Sequence, residues 1–465
     1  MSAPLIWIGI PGVMAIIALI FRNQRFLTLI GGGVTLFLAV VAYLIPIDQA
    51  LQIADITLKI NPTFLILGRR LVITPNDAPF LGLFYGLVSM WIFGAGVTKS
   101  TNRLVPLGLA ISVLMVASLA VEPFLFAAIL IEMAILFAIP LLTVPGRSPG
   151  PGLMRFLIYQ TLGMPFILFS GWLLAGVEAS PGDLDLAIQS AAILGMGFAF
   201  LLAVFPFYTW MPMLAEEASP YILGFVFWIL PTISLIFGLG FLDRYAWIRT
   251  SDQLPPVLRT VGLLMIVTGG LWSGFQRHLG RLMAYGVITE TGLSILALSL
   301  PSPTALHLFF MLLIPRSLGL LVWALSLESL AEKSDSLYFH SISGMGRMYP
   351  VSALGLTLAY FSVAGYPLLA GFPIRLELWS GLASQSLRAA FWFLIGTIGL
   401  LAGAARTLGV LVRATEESGW DFRENWIQAI FAGIGVIGLF LLGFFPQLAQ
   451  PLIGNLPAMF EHLGK

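Results

Sequence analysis

The chain has 465 residues, 58% of them hydrophobic, with 23 basic and 22 acidic residues, a net charge of +1 and no cysteine. A globular chain keeps about a quarter of its residues charged, so a 10% share excludes a water-covered surface and leaves lipid as the solvent. The near-zero net charge excludes a basic nucleic-acid binder and an acidic tail, and the missing cysteines exclude thiol-ligated clusters, disulfides and c-type haem attachment.

Each span of about 30 Å of hydrocarbon takes ~20 apolar residues, so fourteen spans use roughly 280 residues, close to the hydrophobic share. The apolar runs, in chain order, are 3–21, 26–46, 79–98, 104–121, 122–143, 153–177, 186–214, 220–242, 257–276, 280–299, 303–326, 350–382, 387–412 and 425–446. The expected fold is an all-α polytopic membrane protein, one membrane domain over 1–465 with about fourteen transmembrane helices. The first run has no charged region ahead of it and no small-residue cleavage site behind it, so it reads as a retained span. Residues 47–78 alternate apolar and polar side chains around Ile56, Leu58 and Ile60 and again near Arg70 and Val72. They read as an extramembrane hairpin or interfacial segment. With alternating loops, thirteen basic residues collect on the side of the 22–25 loop and eight on the other. That asymmetry puts both termini outside the cytoplasm.

Ionisable residues inside spans cost about 2.5–3.5 kcal/mol each and mark structural pairs or transport paths. They are Glu132 in the fifth run, Glu290 in the tenth, His307 and Arg316 in the eleventh, and Arg375 with Glu377 in the twelfth. Glu290 and His307 lie near span ends, where snorkelling or capping would account for them. Pro206 and Pro373 interrupt the seventh and twelfth runs, because proline removes a backbone bond and clashes with the preceding turn. Two breaks five spans apart fit either ordinary kinks or two inverted five-helix repeats, the second copy entering from the opposite face. The four histidines at 278, 307, 340 and 462 are scattered, and no metal spacing, phosphate loop or Ser/His/Asp arrangement occurs.

Three ordered segments carry a resemblance to a known family. Gly270 to Ile288, reading GLWSGFQRHLGRLMAYGVI, resembles the signature Q-x-D-L-K-R-L-L-A-Y-S-S-I-S of the antiporter-like proton-translocating subunits of complex I (NADH-quinone oxidoreductase) and of Mrp-type cation/proton antiporters. Phe205 to Pro212, FPFYTWMP, is similar to that family's F-P-F-H-T-W-L-P, and Ala364 to Arg375, AGYPLLAGFPIR, to its A-G-x-P-P-L-S-G-F-x-S-K. The resemblance covers about 79–446. It implies a row of buried charges along the membrane midplane that passes protons, coupled to redox chemistry in partners. Carried over, Glu132 matches the span-five acid. The lysine positions of spans seven and eight fall on Leu201 and Thr232 and are lost. Arg316 takes the span-eleven position, Arg375 the span-twelve lysine, and Glu290 the signature histidine; His278 and Gly280 stand for its aspartate and first lysine. Arginine keeps a positive field but effectively never releases its proton.

The resemblance therefore implies a membrane-arm subunit of a complex I-like assembly with a degenerate proton pathway and a structural or electrostatic role, in which Arg375 and Glu377 form a fixed pair. Active proton or sodium translocation through Glu132, Glu290, His307 and Glu377, in an Mrp-like or membrane hydrogenase-like complex, is the alternative. A stand-alone secondary transporter is the third reading. The chain itself is expected to bind no cofactor, redox groups residing in partner subunits. Its partners are other membrane-arm subunits and the lipid of an energy-transducing membrane, bacterial plasma membrane or thylakoid.

Overall fold

The computed structural model describes every residue except 1, 22–25, 54–55, 67, 99–100, 145, 147, 180–182, 302–303, 415–419 and 464–465. Of the basic residues counted for orientation, Arg22, Arg25, Lys99, Arg147 and Lys465 lie outside the described residues. In lipid a backbone must satisfy its own polar groups, and the chain does so with helices. These are α1 (Ile10–Ile20, after a π turn at Leu5–Gly9), α2 (Leu27–Leu44), α3 (Ala78–Ala95), α4 (Thr101–Ala120), α5 (Ala127–Leu142), α6 (Pro151–Ala179) and α7 (Leu184–Leu201). There follow α8 (Trp210–Glu217), α9 (Pro220–Arg244), α10 (Ala246–Arg249), α11 (Leu254–Phe275), α12 (Leu279–Ala297), α13 (Thr304–Met311) and α14 (Leu313–Ala331). The last are α15 (Met345–Met348), α16 (Pro350–Val363), α17 (Phe372–Gln385), α18 (Leu387–Val412), α19 (Trp426–Phe444) and α20 (Gln450–Ile453). Among the described residues ten helices are long and apolar enough to cross a membrane, α13 and α14 counting as one, so the chain is a polytopic helical membrane protein.

Residues 47–78 form two hairpins. β1 (Ala50–Ile53) pairs antiparallel with β2 (Ile56–Lys59), and β3 (Thr63–Ile66) with β4 (Arg69–Val72). A short β5 (Val121–Glu122), between α4 and α5, extends the second by pairing Leu71 with Val121. Arg69 lies over the Phe126 ring, 3.8 Å from its centroid, and so ties that hairpin to the start of α5.

Two helices are interrupted. After α7 the chain passes through Ala203 at φ 51° and Pro206 before the 3₁₀ turn Phe207–Thr209 leads into α8. The second interruption differs from the expected place. It falls at 364–371, with Gly365 and Leu368 at φ 76° and 73°, and Pro373 sits in the first turn of α17. There proline's missing N–H costs nothing, so the break precedes the proline.

Three helices that begin with proline have their free N–H groups taken by a carboxylate from another element. Glu217, ending α8, accepts from Gly152 and Leu153 N–H at 2.7 and 3.0 Å at the start of α6. Glu328 of α14 accepts from Tyr221 N–H at 3.1 Å and from Ser219 Oγ at 2.7 Å at the start of α9. Glu424 accepts from Ser352 N–H at 2.6 Å at the start of α16. Each places a negative group against the positive end of a helix dipole.

Helices α11 and α18 meet backbone to backbone. A Cβ on Gly270 would collide with the Gly396 carbonyl, and one on Gly399 with the Gly270 carbonyl. Glycine on both sides is what lets two helices touch this closely.

Candidate functional site

Three of the six expected intramembrane charges come together. Glu290 lies about 17 Å along α12 from its start at Leu279, and Arg316 about 18 Å along the α13–α14 span from Thr304, both near the middle of their helices. Arg375 reaches this point from the first turns of α17. Its Nη2 donates to Glu290 Oε1 at 2.9 Å, and the two side chains are 4% and 7% exposed. The same Nη2 donates to the Val363 carbonyl, an acceptor freed where α16 stops. Gly365 makes room for this arginine: a Cβ there would strike Arg375 Cδ.

Arg316, 1% exposed, donates from Nη2 to Thr291 Oγ1 at 3.0 Å and from Nη1 to Ser294 Oγ at 3.5 Å. Thr291, Ser294 and Glu290 belong to the same stretch of α12, so among the described residues one helix supplies both side-chain hydrogen bonds of Arg316. Glu290 acts electrostatically on both guanidiniums. The cluster thus sets one carboxylate, paired with Arg375, against two permanent cations and carries a formal net charge of +1. Among the described residues, Arg316 Nε and Arg375 Nε and Nη1 have no hydrogen-bond partner.

Two expectations are corrected here. Glu290 is 5% exposed and ion-paired, so neither snorkelling nor capping accounts for it. Arg375 does not pair with Glu377. Residues two apart on a helix point about 200° away from one another. Arg375 therefore turns inward to Glu290 while Glu377 is exposed on the outer face of α17.

The remaining residues lie apart from the cluster. Glu132 on α5 accepts from Thr161 Oγ1 at 2.9 Å, and its buried Oε2 has no partner among the described residues. His307, in the first turn of α13, meets the Gln450 side-chain amide at 3.1 Å between nitrogens, near the start of α20. Leu201 is buried at the end of α7, where Gln160 Nε2 donates to the Phe200 and Leu201 carbonyls at 3.3 Å each. Thr232 turns its hydroxyl back onto the Trp228 carbonyl at 2.6 Å within α9. Pro206 lies inside the α7–α8 break, and Pro373 beyond the α16–α17 break. Each break offers backbone carbonyls to a side-chain donor: Gln160 at the first, Arg375 at the second.

A small cavity of about 10 Å³, the space of one water centre, is lined by Gln160, Leu201, Trp210, Pro231 and Thr291 among others. It reaches from the α7 break to the threonine that holds Arg316. Sequence reading missed Gln160, Thr161, Thr291 and Ser294. Their signal was available as polar residues inside apolar runs, the last two within one turn of Glu290.

The family described as NADH:quinone oxidoreductase/Mrp antiporter, transmembrane, matches residues 154–400. Subunit 14 of the NADH-quinone oxidoreductase of Thermus thermophilus is 26% identical over 333 residues, 68% of this chain and 72% of that protein. Subunit N 2 from Acidobacterium capsulatum is 23% identical over 266 residues, so the chain spans only about half, 54%, of that relative and is itself covered over 53%. Among solved structures, the fold matches a chain of the archaeal membrane-bound sulfane sulfur reductase with a TM-score of 0.80 at 16% identity, covering 100% of this chain and 98% of that one. It matches a chain of the Mrp complex of a Dietzia species with a TM-score of 0.79 at 17% identity, covering 99% and 97%. A chain of respiratory complex I of Thermus thermophilus matches at 0.70 and 19% identity, covering 95% and 98%.

Proposed function

The chain belongs to the NADH:quinone oxidoreductase/Mrp antiporter transmembrane family, and from that premise we propose that it is an antiporter-like membrane-arm subunit of a complex I-like assembly in which the proton path has become a fixed electrostatic element. The observation that carries this reading is the Arg316–Glu290–Arg375 cluster. A proton relay needs groups that release and regain a proton, and two of these three keep theirs at any physiological pH. The path is further interrupted by Leu201 and Thr232, which carry no charge. What remains is a permanent positive field at mid-depth, suited to biasing charges in neighbouring subunits and to bracing them.

The reading includes about fourteen spans arranged as two inverted five-helix repeats, with the paired helix breaks at their equivalent positions. It also includes a multi-pass placement in an energy-transducing membrane, bacterial plasma membrane or thylakoid, with both termini outside the cytoplasm. Flavin, iron–sulfur and quinone chemistry belongs to partner subunits. Relatives named as subunits of NADH-quinone oxidoreductase, and fold neighbours drawn from respiratory and Mrp complexes, support the assignment to a hetero-oligomer.

The test is the proton-to-electron ratio of the reconstituted assembly with and without Glu132→Gln. An unchanged ratio fits the fixed-field role; a loss of about one proton per catalytic cycle refutes it. A second reading, active translocation by a water-bridged route, is favoured by one feature. The cavity between Gln160 and Thr291 sits between the α7 break and the charge cluster. In that case Gln160→Leu lowers the ratio as well.

A further inference from the structure

We propose that the outward face of α17 seats a transmembrane helix of a neighbouring subunit that carries a lysine or arginine opposite Glu377. The proposal rests on the subunit assignment above and specifies the chemistry of one of its contacts. Glu377 stands two residues beyond Arg375, about 3 Å further along α17 than the residue that binds Glu290, in the helix that begins at the interruption inside the twelfth apolar run. It is exposed, and among the described residues no hydrogen bond or ion pair reaches its carboxylate. A lone carboxylate within an apolar span is costly, and a cation on a partner helix offsets that cost.

The rest of the face suits a helix better than a lipid tail. Leu376, Ser380 and Ser384 are the exposed neighbours of Glu377 along α17, and small hydroxyl residues let a second helix approach closely and bond across the contact. The adjoining outer surface of α18 adds Leu387, Phe391 and Trp392, all exposed.

A second copy of this chain does not supply the cation. Apart from buried Arg316 and Arg375, every arginine or lysine in its described helices lies within about two turns of an outer end of a span or in a four-residue helix, whereas Glu377 follows a break inside one. The occupant is therefore a different chain. Its cation would make α17 a two-sided charge carrier, with Arg375 reading the buried cluster and Glu377 reading the neighbour.

The experiment uses the full chain in its native membrane with a photo-crosslinking residue in place of Ser384, and in place of exposed Ile16 on α1 as a reference position. The expected product at 384 is a peptide of a different membrane subunit, with a lysine or arginine in its spanning segment within one turn of the crosslink. Glu377→Lys then lowers that yield about tenfold, equivalent to ~1.4 kcal/mol of contact, and reversing the partner's cation to glutamate restores it. In an assembly that stays intact on a native gel, crosslinks only to lipid, to another copy, or to a helix without a basic residue overturn the docking and leave the subunit assignment standing. A chain that runs alone on that gel overturns both.

Discussion

Glu290→Gln tests the charge arithmetic of the buried cluster most directly. The wild-type cluster sets one carboxylate against two guanidiniums, with Arg375 Nη2 at 2.9 Å from Glu290 and both side chains nearly fully buried. Removing one member of a buried pair leaves the other uncompensated and costs ~3–5 kcal/mol. Glu290→Gln leaves two uncompensated cations, so its cost belongs at the upper end of that range. Arg375→Met leaves Glu290 within the electrostatic reach of Arg316, so a cost below that range is expected. The double variant restores the original net charge and should cost less than the sum of the two, a coupling of about 1–3 kcal/mol. Unfolding of the purified chain in bicelles by sodium dodecyl sulfate, followed by tryptophan fluorescence, gives the three values. A Glu290→Gln cost no larger than that of Arg375→Met, or strict additivity, refutes the picture of one anion shared by two arginines.

Other outcomes follow from single contacts. Gly270→Val forces α11 and α18 apart where their backbones touch and should cost about 1–3 kcal/mol or more in the same unfolding assay, whereas Gly33→Val, with open space around it, should cost far less. Glu328→Gln weakens a charged cap at the start of α9 and should lower stability by about 0.5–2 kcal/mol, read as a shift in the unfolding midpoint. Outside the spans, His278 caps α12 through an unprotonated Nδ1 that accepts from Arg281 N–H at 3.4 Å. Burial holds its imidazole below the ordinary value near 6.5, against the opposing pull of Glu216 and with some help from Arg281. The folded state binds this proton less readily than the unfolded chain. The contribution is therefore complete above about pH 6.5 and is lost as pH falls through the lowered folded value. Melting temperatures measured from pH 7.5 to 5 should show that loss, and His278→Asn, which keeps a capping side chain, should flatten it.

The spans were legible because lipid permits only long apolar runs, and the fold departs from them chiefly inside the runs. Pro206 marks its break, yet Pro373 does not: a proline can start a helix as readily as end one, and the positive φ values of Gly365 and Leu368 that locate the second break are not written as a pattern. The pairing of Arg375 was misread because Glu377 is close in sequence while Glu290, 85 residues away, is close in space. The 3.6-residue period already argues against the local pair. Sequence alone also did not join Glu290 to Arg316, since the link depends on how α12 packs on α14. The alternation over 47–78 suggested one hairpin or an interfacial segment, and two hairpins stand there. The pairing of Leu71 with Val121 did not, because that partner strand is two residues long.

The cap at Glu328 has a mechanical meaning. It lies on α14, and the N–H and hydroxyl it holds lie at the start of α9, more than a hundred residues earlier. From the same tyrosine, Tyr221 Oη donates to the Trp91 carbonyl at 2.7 Å, adding α3 to the joint. Hydrogen bonds to a charged acceptor contribute about 1.5–3 kcal/mol each. Any rocking that separates α9 from α14 would have to open two of them at once, at the end of two buried helices. Such a joint behaves as a rivet rather than a hinge, and it holds α3, α9 and α14 as one unit.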